Sequence, residues 1–159
     1  MSVSGMSPDI DGLGLIIDFS GNITGITTDY WSQFHHELHT LPFALFIAVI
    51  SAYCARGRKL LIGCSSFLMF HLHLLCDIVG SKGPDGYQWP IPYLSPLYTE
   101  INLSVPWQWE LNAWQNIVIA IIFFVITYKL IKIKGESPLE LVSKRMNRAL
   151  VKIVKKETV

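Results

Sequence analysis

LLIGCSSFLMFHLHLLCDIV, Leu60 to Val79, is an almost unbroken apolar run with two histidines and an aspartate near its far end. An α-helix needs roughly 20 apolar residues to cross a hydrocarbon core about 30 Å thick, and this run has that length. Residues four apart share one face of a helix, so His73 and Asp77 can converge on a single ion. Ionisable side chains in an apolar run are costly unless they are paired, metal-bound or wet. Their presence is therefore informative.

Working outward, the run is preceded by the basic turn Arg56-Gly57-Arg58-Lys59 and, before that, by LPFALFIAVISAYCA, Leu41 to Ala55. Fifteen helical residues reach only about 22 Å, so a spanning helix is expected to begin near His35 and run over about 35–55. That register would put His35 and His39 on one face of its first turns. On the other side, residues 80–106 form a glycine- and proline-punctuated stretch in which Pro84, Pro90, Pro92, Pro96 and Pro106 interrupt regular helix. Trp107, Trp109 and Trp114 then lead into NIVIAIIFFVITYKLIKIK, Asn116 to Lys134, as tryptophans do at a bilayer interface. A third spanning helix is expected over about 111–131. From Ser137, the Ser-Pro-Leu-Glu stretch reads as a helix N-cap with proline at the first helical position. Leu139, Val142, Met146, Leu150, Ile153 and Val154 then recur amid Lys and Arg, as in an amphipathic helix on an anionic leaflet.

The fold class expected is all-α: a helical integral membrane protein with about three transmembrane helices plus a C-terminal amphipathic helix. Residues 1–136 form the membrane domain, with spans at about 35–55, 60–79 and 111–131, and residues 137–159 a basic tail. Residues 1–34, rich in Gly, Ser, Thr and Asp, read as an irregular outer segment. Composition agrees with lipid as the surroundings. The chain is 51% hydrophobic and 16% charged, against about 25% charged in a soluble domain. Cys54, Cys64 and Cys76 lack CxxC spacing and read as buried thiols. The N-terminus shows neither a basic n-region nor an early apolar h-region, so no signal peptide is read.

Charge sets the expected topology. Arg56, Arg58 and Lys59 lie between two apolar runs, and nine more cations lie from Lys129 to Lys156, whereas the first forty residues hold no Lys or Arg. The positive-inside rule puts the turn and the tail in the cytoplasm. Residues 1–40 and 80–112 then share the extracytoplasmic face, which gathers Asp9, Asp11, His35, His36, His39, His71, His73, Asp77 and Asp85. The cations follow membrane segments rather than forming a stripe with exposed aromatics, so a nucleic-acid partner is not expected.

Imidazole with carboxylate suits zinc, manganese or iron, and such a site can acidify water for hydrolysis of an ester or phosphoester. No GxSxG elbow or Walker loop offers a competing chemistry. His36-Glu37-Leu38-His39 is one residue too short for the HExxH zincin helix. Each candidate ligand also has a plainer reading: a lone helical His is commonly structural, Asp9 and Asp11 after Pro8 suit a polar turn, and Gly83-Pro84-Asp85-Gly86 suits a loop.

In these motifs the chain resembles the YdjM-type bacterial membrane-bound metal-dependent hydrolases, over about Pro8 to Arg148. The family's PDxD element is matched by Pro8-Asp9-Ile10-Asp11, and its SHxxxD element by Leu72-His73 through Asp77. Its HRGxTHS element is matched in degraded form by His35-His36-Glu37-Leu38-His39-Thr40, and its glycine/proline loop ending in Trp-Pro by Gly83 to Trp89-Pro90. The resemblance implies that Asp9, Asp11, His35 or His36, His39, His73 and Asp77 are metal ligands and acid/base groups. The HRGxTHS arginine and serine are missing here, and the family's further apolar helix before PDxD has no counterpart.

The expectation is thus a multi-pass inner-membrane, metal-dependent hydrolase of an ester or phosphoester, with a lipid as one candidate substrate. A divalent ion would be its cofactor and Glu37 a candidate general base. His71, two residues from His73, faces elsewhere on the helix and reads as structural. The rival is a non-catalytic membrane protein, a metal-binding or structural subunit. An ion-transport role fits poorly, because the ionisable residues lie on one side only.

Overall fold

The computed structural model describes residues 2–26, 30, 37–83, 85–141 and 143–156, and His35 and His36 lie outside them. The chain is all-helical, and among the described residues there is no strand, only two isolated bridges, Lys82 with Glu110 and Ile91 with Leu103. It divides into two units, Met1–Leu111 and Asn112–Val159.

The first unit is built on an antiparallel pair, α3 (Leu41–Cys54) and α4 (Lys59–Gly80). Helix α3 starts at Leu41 and not near His35. Thr40 is extended and its Oγ1 accepts the N–H of Phe43 at 3.4 Å, while Pro42 occupies the first turn, where its missing N–H costs nothing. Residues 37–40 form turns, so His39 lies before the helix rather than on it. The pair approaches closely at Gly63, where a Cβ would sit 3.1 Å from the Ala52 Cβ and 3.2 Å from the Ala48 carbonyl oxygen. Small residues at such crossings let backbones meet. Gly63→Leu is expected to force the helices apart and destabilise the pair by about 1–3 kcal/mol, read as a lower thermal midpoint of the purified protein.

At the other end of the pair, Ala44, Phe70, Leu74 and Ile91 form the buried core, with Phe43, Phe67, Ile78 and Tyr93 against it. Ile91 comes from the 81–111 loop, which straps both helix ends. Tyr93 C=O accepts from Leu41 N–H at 2.7 Å, and Trp109 N–H donates to Val79 C=O at 3.0 Å. The buried Gln108 amide donates to the Asp77 C=O at 2.7 Å and to Ser81 Oγ at 3.2 Å. Orphan carbonyls at the end of α4 thereby find partners.

The N-terminal segment is more regular than its composition suggests. Helix α1 (Ser2–Met6) packs on α4, with Gly5 beside Met69, a 3-10 turn follows at Pro8–Leu13, and α2 spans Gly14–Thr24. Glycine, serine and threonine weaken the local helix signal, and for α1 packing on α4 supplies what propensity lacks.

In the second unit, α5 (Trp114–Lys134) ends at Gly135, left-handed with φ 71°, whose N–H returns to the Ile131 C=O. The expected helix at Ser137 is only a 3-10 turn, Pro138–Leu141, because Asn147 Oδ1 accepts both the N–H and the Oγ–H of Ser137, at 2.8 and 2.7 Å. Ser143 Oγ instead accepts from Met146 N–H at 3.5 Å, and α6 runs from Lys144 to Lys156.

Helices α4 and α5 are long and apolar enough to cross a membrane, and α3, with 14 residues, is shorter. The apolar window of α4 is only 22% buried and that of α5 only 6%, unlike core helices of a soluble protein. Cys54, Cys64 and Cys76 are free but exposed, not buried as expected, because they lie on outward faces of these helices.

Candidate metal centre

Three segments deliver the site. Helix α1 lies beside Met69, so the 3-10 turn after it brings Asp9 one helical turn further along α4, to His73. The turn before α3, fixed by the Thr40 cap and by the bond from Leu41 to the strap, presents His39. Helix α4 supplies His73 and, four residues on, Asp77, whose backbone oxygen Gln108 holds.

Their polar atoms converge. His73 Nε2 lies 3.1 Å from Asp77 Oδ2 and 3.2 Å from Asp9 Oδ1. His39 Nε2 lies 3.5 Å from Asp77 Oδ2 and 3.8 Å from Asp9 Oδ1. The two rings are tilted, with centroids 5.7 Å apart. His73 Nε2 and Asp77 Oδ2 are buried, and among the described residues neither makes a well-aligned hydrogen bond. One donor atom from each of Asp9, His39 and His73 lies within 4.8 Å of the others, and this group could hold a metal ion. A tetrahedral ion with bonds of about 2.0–2.1 Å sets its donors roughly 3.3–3.4 Å apart, close to the 3.2 Å between His73 Nε2 and Asp9 Oδ1 and shorter than the 3.8 Å between His39 Nε2 and Asp9 Oδ1.

Asp11 takes a different position. Its Oδ2 lies 3.5 Å from His39 Nδ1, on the ring edge away from Nε2, and 3.4 Å from the Leu38 N–H, which donates to it. A proton on Nδ1 shared with this carboxylate leaves the Nε2 lone pair facing Asp9 and Asp77. The Asp11 side chain is 6% exposed, against 53% for Asp9.

The electrostatics follow from the pairing. The Asp9 carboxyl is held well below its ordinary range by His39 and then by His73. Burial opposes charge on His39, but pairing with Asp11 and Asp9 outweighs it and raises the imidazole to about 9. In the metal-free protein this contribution to stability is complete below pH 6.5 and is lost as pH rises through about 9. A falling thermal midpoint over that interval is the expected result, measured with chelator present. Cation binding must displace the proton, so its affinity should rise over the same interval.

Of the residues singled out in the sequence, Asp9, Asp11, His39, His73 and Asp77 are brought together. Glu37 is exposed on the turn before His39, and among the described residues the carboxylates touching the imidazoles are those of Asp9, Asp11 and Asp77. His71 faces elsewhere, as expected. Its Nδ1 lies 2.9 Å from the Phe67 C=O, which only accepts, so Nδ1 carries a proton, and in the neutral ring Nε2 accepts from the Tyr93 hydroxyl at 2.7 Å. Asp85 Oδ1 accepts from Tyr87 N–H at 3.1 Å, closing a turn in the loop. Sequence reasoning missed Tyr93 and Gln108, whose partners are 22 and 31 residues away with no spacing signal.

Compared with models of known protein families, with curated proteins and with solved structures, the chain matches none.

Proposed function

We propose that this is a multi-pass membrane protein whose Asp9, His39 and His73 hold one divalent cation, with Asp77 beside both imidazoles, and that the site hydrolyses an ester or phosphoester. The observation that carries the reading is the convergence of buried imidazole nitrogens and carboxylate oxygens from three separate segments. The little-buried faces of α4 and α5 support lipid surroundings, with α3 as a third, shorter pass. The cation distribution supports a cytoplasmic turn at Arg56–Lys59 and an extracytoplasmic site. The likeness to YdjM-type hydrolases rests on the Pro8–Asp11 and His73–Asp77 motifs and supplies the reaction class.

When bound, a divalent cation supplies Lewis acidity, lowering the pKa of water and polarising a carbonyl or phosphoryl oxygen. The chain's own contribution is positional. Asp11 holds the His39 ring through Nδ1, and the Gln108 bond to the Asp77 carbonyl holds the end of α4. Glu37, exposed on the same turn as His39, is the candidate general base of this reading. Asp9, half exposed, forms the open side through which a substrate would enter.

One observation favours a second reading. Each imidazole already touches carboxylates, and a His–Asp cluster of this kind can tie three segments together as a structural clamp without catalysis. A screen of generic esters, phosphodiesters and phospholipids, with and without chelator, separates the two. Chelator-sensitive turnover that Asp9→Ala abolishes supports the hydrolase; metal-bound protein with no turnover on any of these classes leaves the clamp or a metal-binding subunit.

A further inference from the structure

The second unit ends in a helix whose charge has one sign. Helix α6 carries Lys144, Arg145, Arg148, Lys152, Lys155 and Lys156 and no acidic residue. One of its faces is occupied within the unit: Asn147 is 8% exposed through its bonds to Ser137, and Val154 is 7% exposed. A different stripe is not occupied. Met146, Ala149 and Ile153, at i, i+3 and i+7, are all exposed, and Ile153 is 64% exposed. Arg145 and Lys152 follow this stripe around the helix and are exposed as well.

The location of α6 is fixed. Gly135 reverses the chain at the end of α5, and a Cβ there would lie 3.1 Å from Lys155 Nζ, so that lysine sits over the turn. Ser137 locked to Asn147 prevents α6 from swinging away on a loose linker. The end of α5 it is fastened to carries Lys129, Lys132 and Lys134, and Lys132 Nζ lies 4.7 Å over the Tyr128 ring. An apolar helix with an almost wholly uncovered surface is thus closed at one end by a rigidly attached cationic helix.

We infer that α6 docks on an anionic bilayer surface, inserting Met146, Ala149 and Ile153 between headgroups while Arg145, Lys152 and their neighbours pair with lipid phosphates. The charge selects the partner, and the three-residue stripe suits shallow insertion at an interface, where cationic side chains bury their stems and keep their charges among the headgroups. This inference does not depend on the metal centre.

Full-length protein in phosphatidylcholine nanodiscs, and in discs with about one third phosphatidylglycerol, provides the test. Trypsin cleavage after Arg145 and Arg148 is expected to be slower in the anionic discs, by about fivefold for each cation engaged. Near 1 M salt, where screening shortens to about 3 Å, the difference should disappear. Lys144→Gln with Lys152→Gln keeps both cleavage sites and exposed helix positions and should lose much of the protection. Met146→Ser with Ile153→Ser should lose it without changing charge. Equal cleavage in the two discs overturns the inference, as does protection that both double variants retain, or protection that appears only on adding a polyanionic protein or RNA.

Discussion

His73→Ala is expected to abolish metal binding by the purified protein, lowering affinity by more than the about 10–100-fold that outer partners of a metal site command. Its Nε2 lies 3.2 and 3.1 Å from the Asp9 and Asp77 carboxylates, nearer than His39 Nε2 at 3.8 and 3.5 Å, so His39 does not replace it. Loss of the ring leaves a group of carboxylates around a single imidazole, a poorer donor set for zinc, manganese or iron. His71→Ala is the matched control. It lies on the same helix two residues away, but its ring is bound to Phe67 and Tyr93, so the ion should stay while the strap loosens. Metal content by mass spectrometry after dialysis, with helix content followed in parallel, checks both variants. Equal metal in His73→Ala and the parent protein would remove His73 from the site.

Asp11→Ala is expected to weaken the ion about 10–100-fold without removing it. The carboxylate lies against Nδ1 of His39, where on the proposed reading it would act on the ring's tautomer and aim rather than on the cation. Asp11→Asn keeps an acceptor of nearly the same shape and should fall between Ala and the parent. Competition titration with a chromophoric chelator gives the affinities, and the visible spectrum of the cobalt-substituted protein gives the coordination. An unchanged spectrum with weakened affinity is the expected pair of results; a spectrum showing a lost oxygen ligand would make Asp11 a ligand itself.

The parts of this arrangement legible in the sequence are those governed by local periodicity. His73 and Asp77 share a helix face because they are four residues apart, and Pro8 before Asp9 and Asp11 marks a turn that does form, as a 3-10 segment. Less legible was the register before α3. Hydrophobic length argued for a helix beginning near His35, but the Thr40 cap and Pro42 start it at Leu41, and His39 reaches the site from a turn. Helices α1 and α2 escaped notice because glycine and serine suppress propensity, and the contact of α1 with α4 is tertiary. The loop over residues 81–111 was readable as irregular but not as a strap, since its fastening bonds join residues far apart in the chain. The Ser137 motif has the composition of a cap, yet its side chain binds Asn147 instead, a choice made by packing within the second unit.

X-ray absorption at the metal edge of the loaded full-length protein tests the central claim most directly. The account predicts two imidazole nitrogens and carboxylate oxygens at about 2.0–2.1 Å from the ion, with one imidazole lost in His39→Ala and one in His73→Ala. Failure of the protein to retain an ion, or a shell lacking imidazole that neither substitution alters, would contradict it.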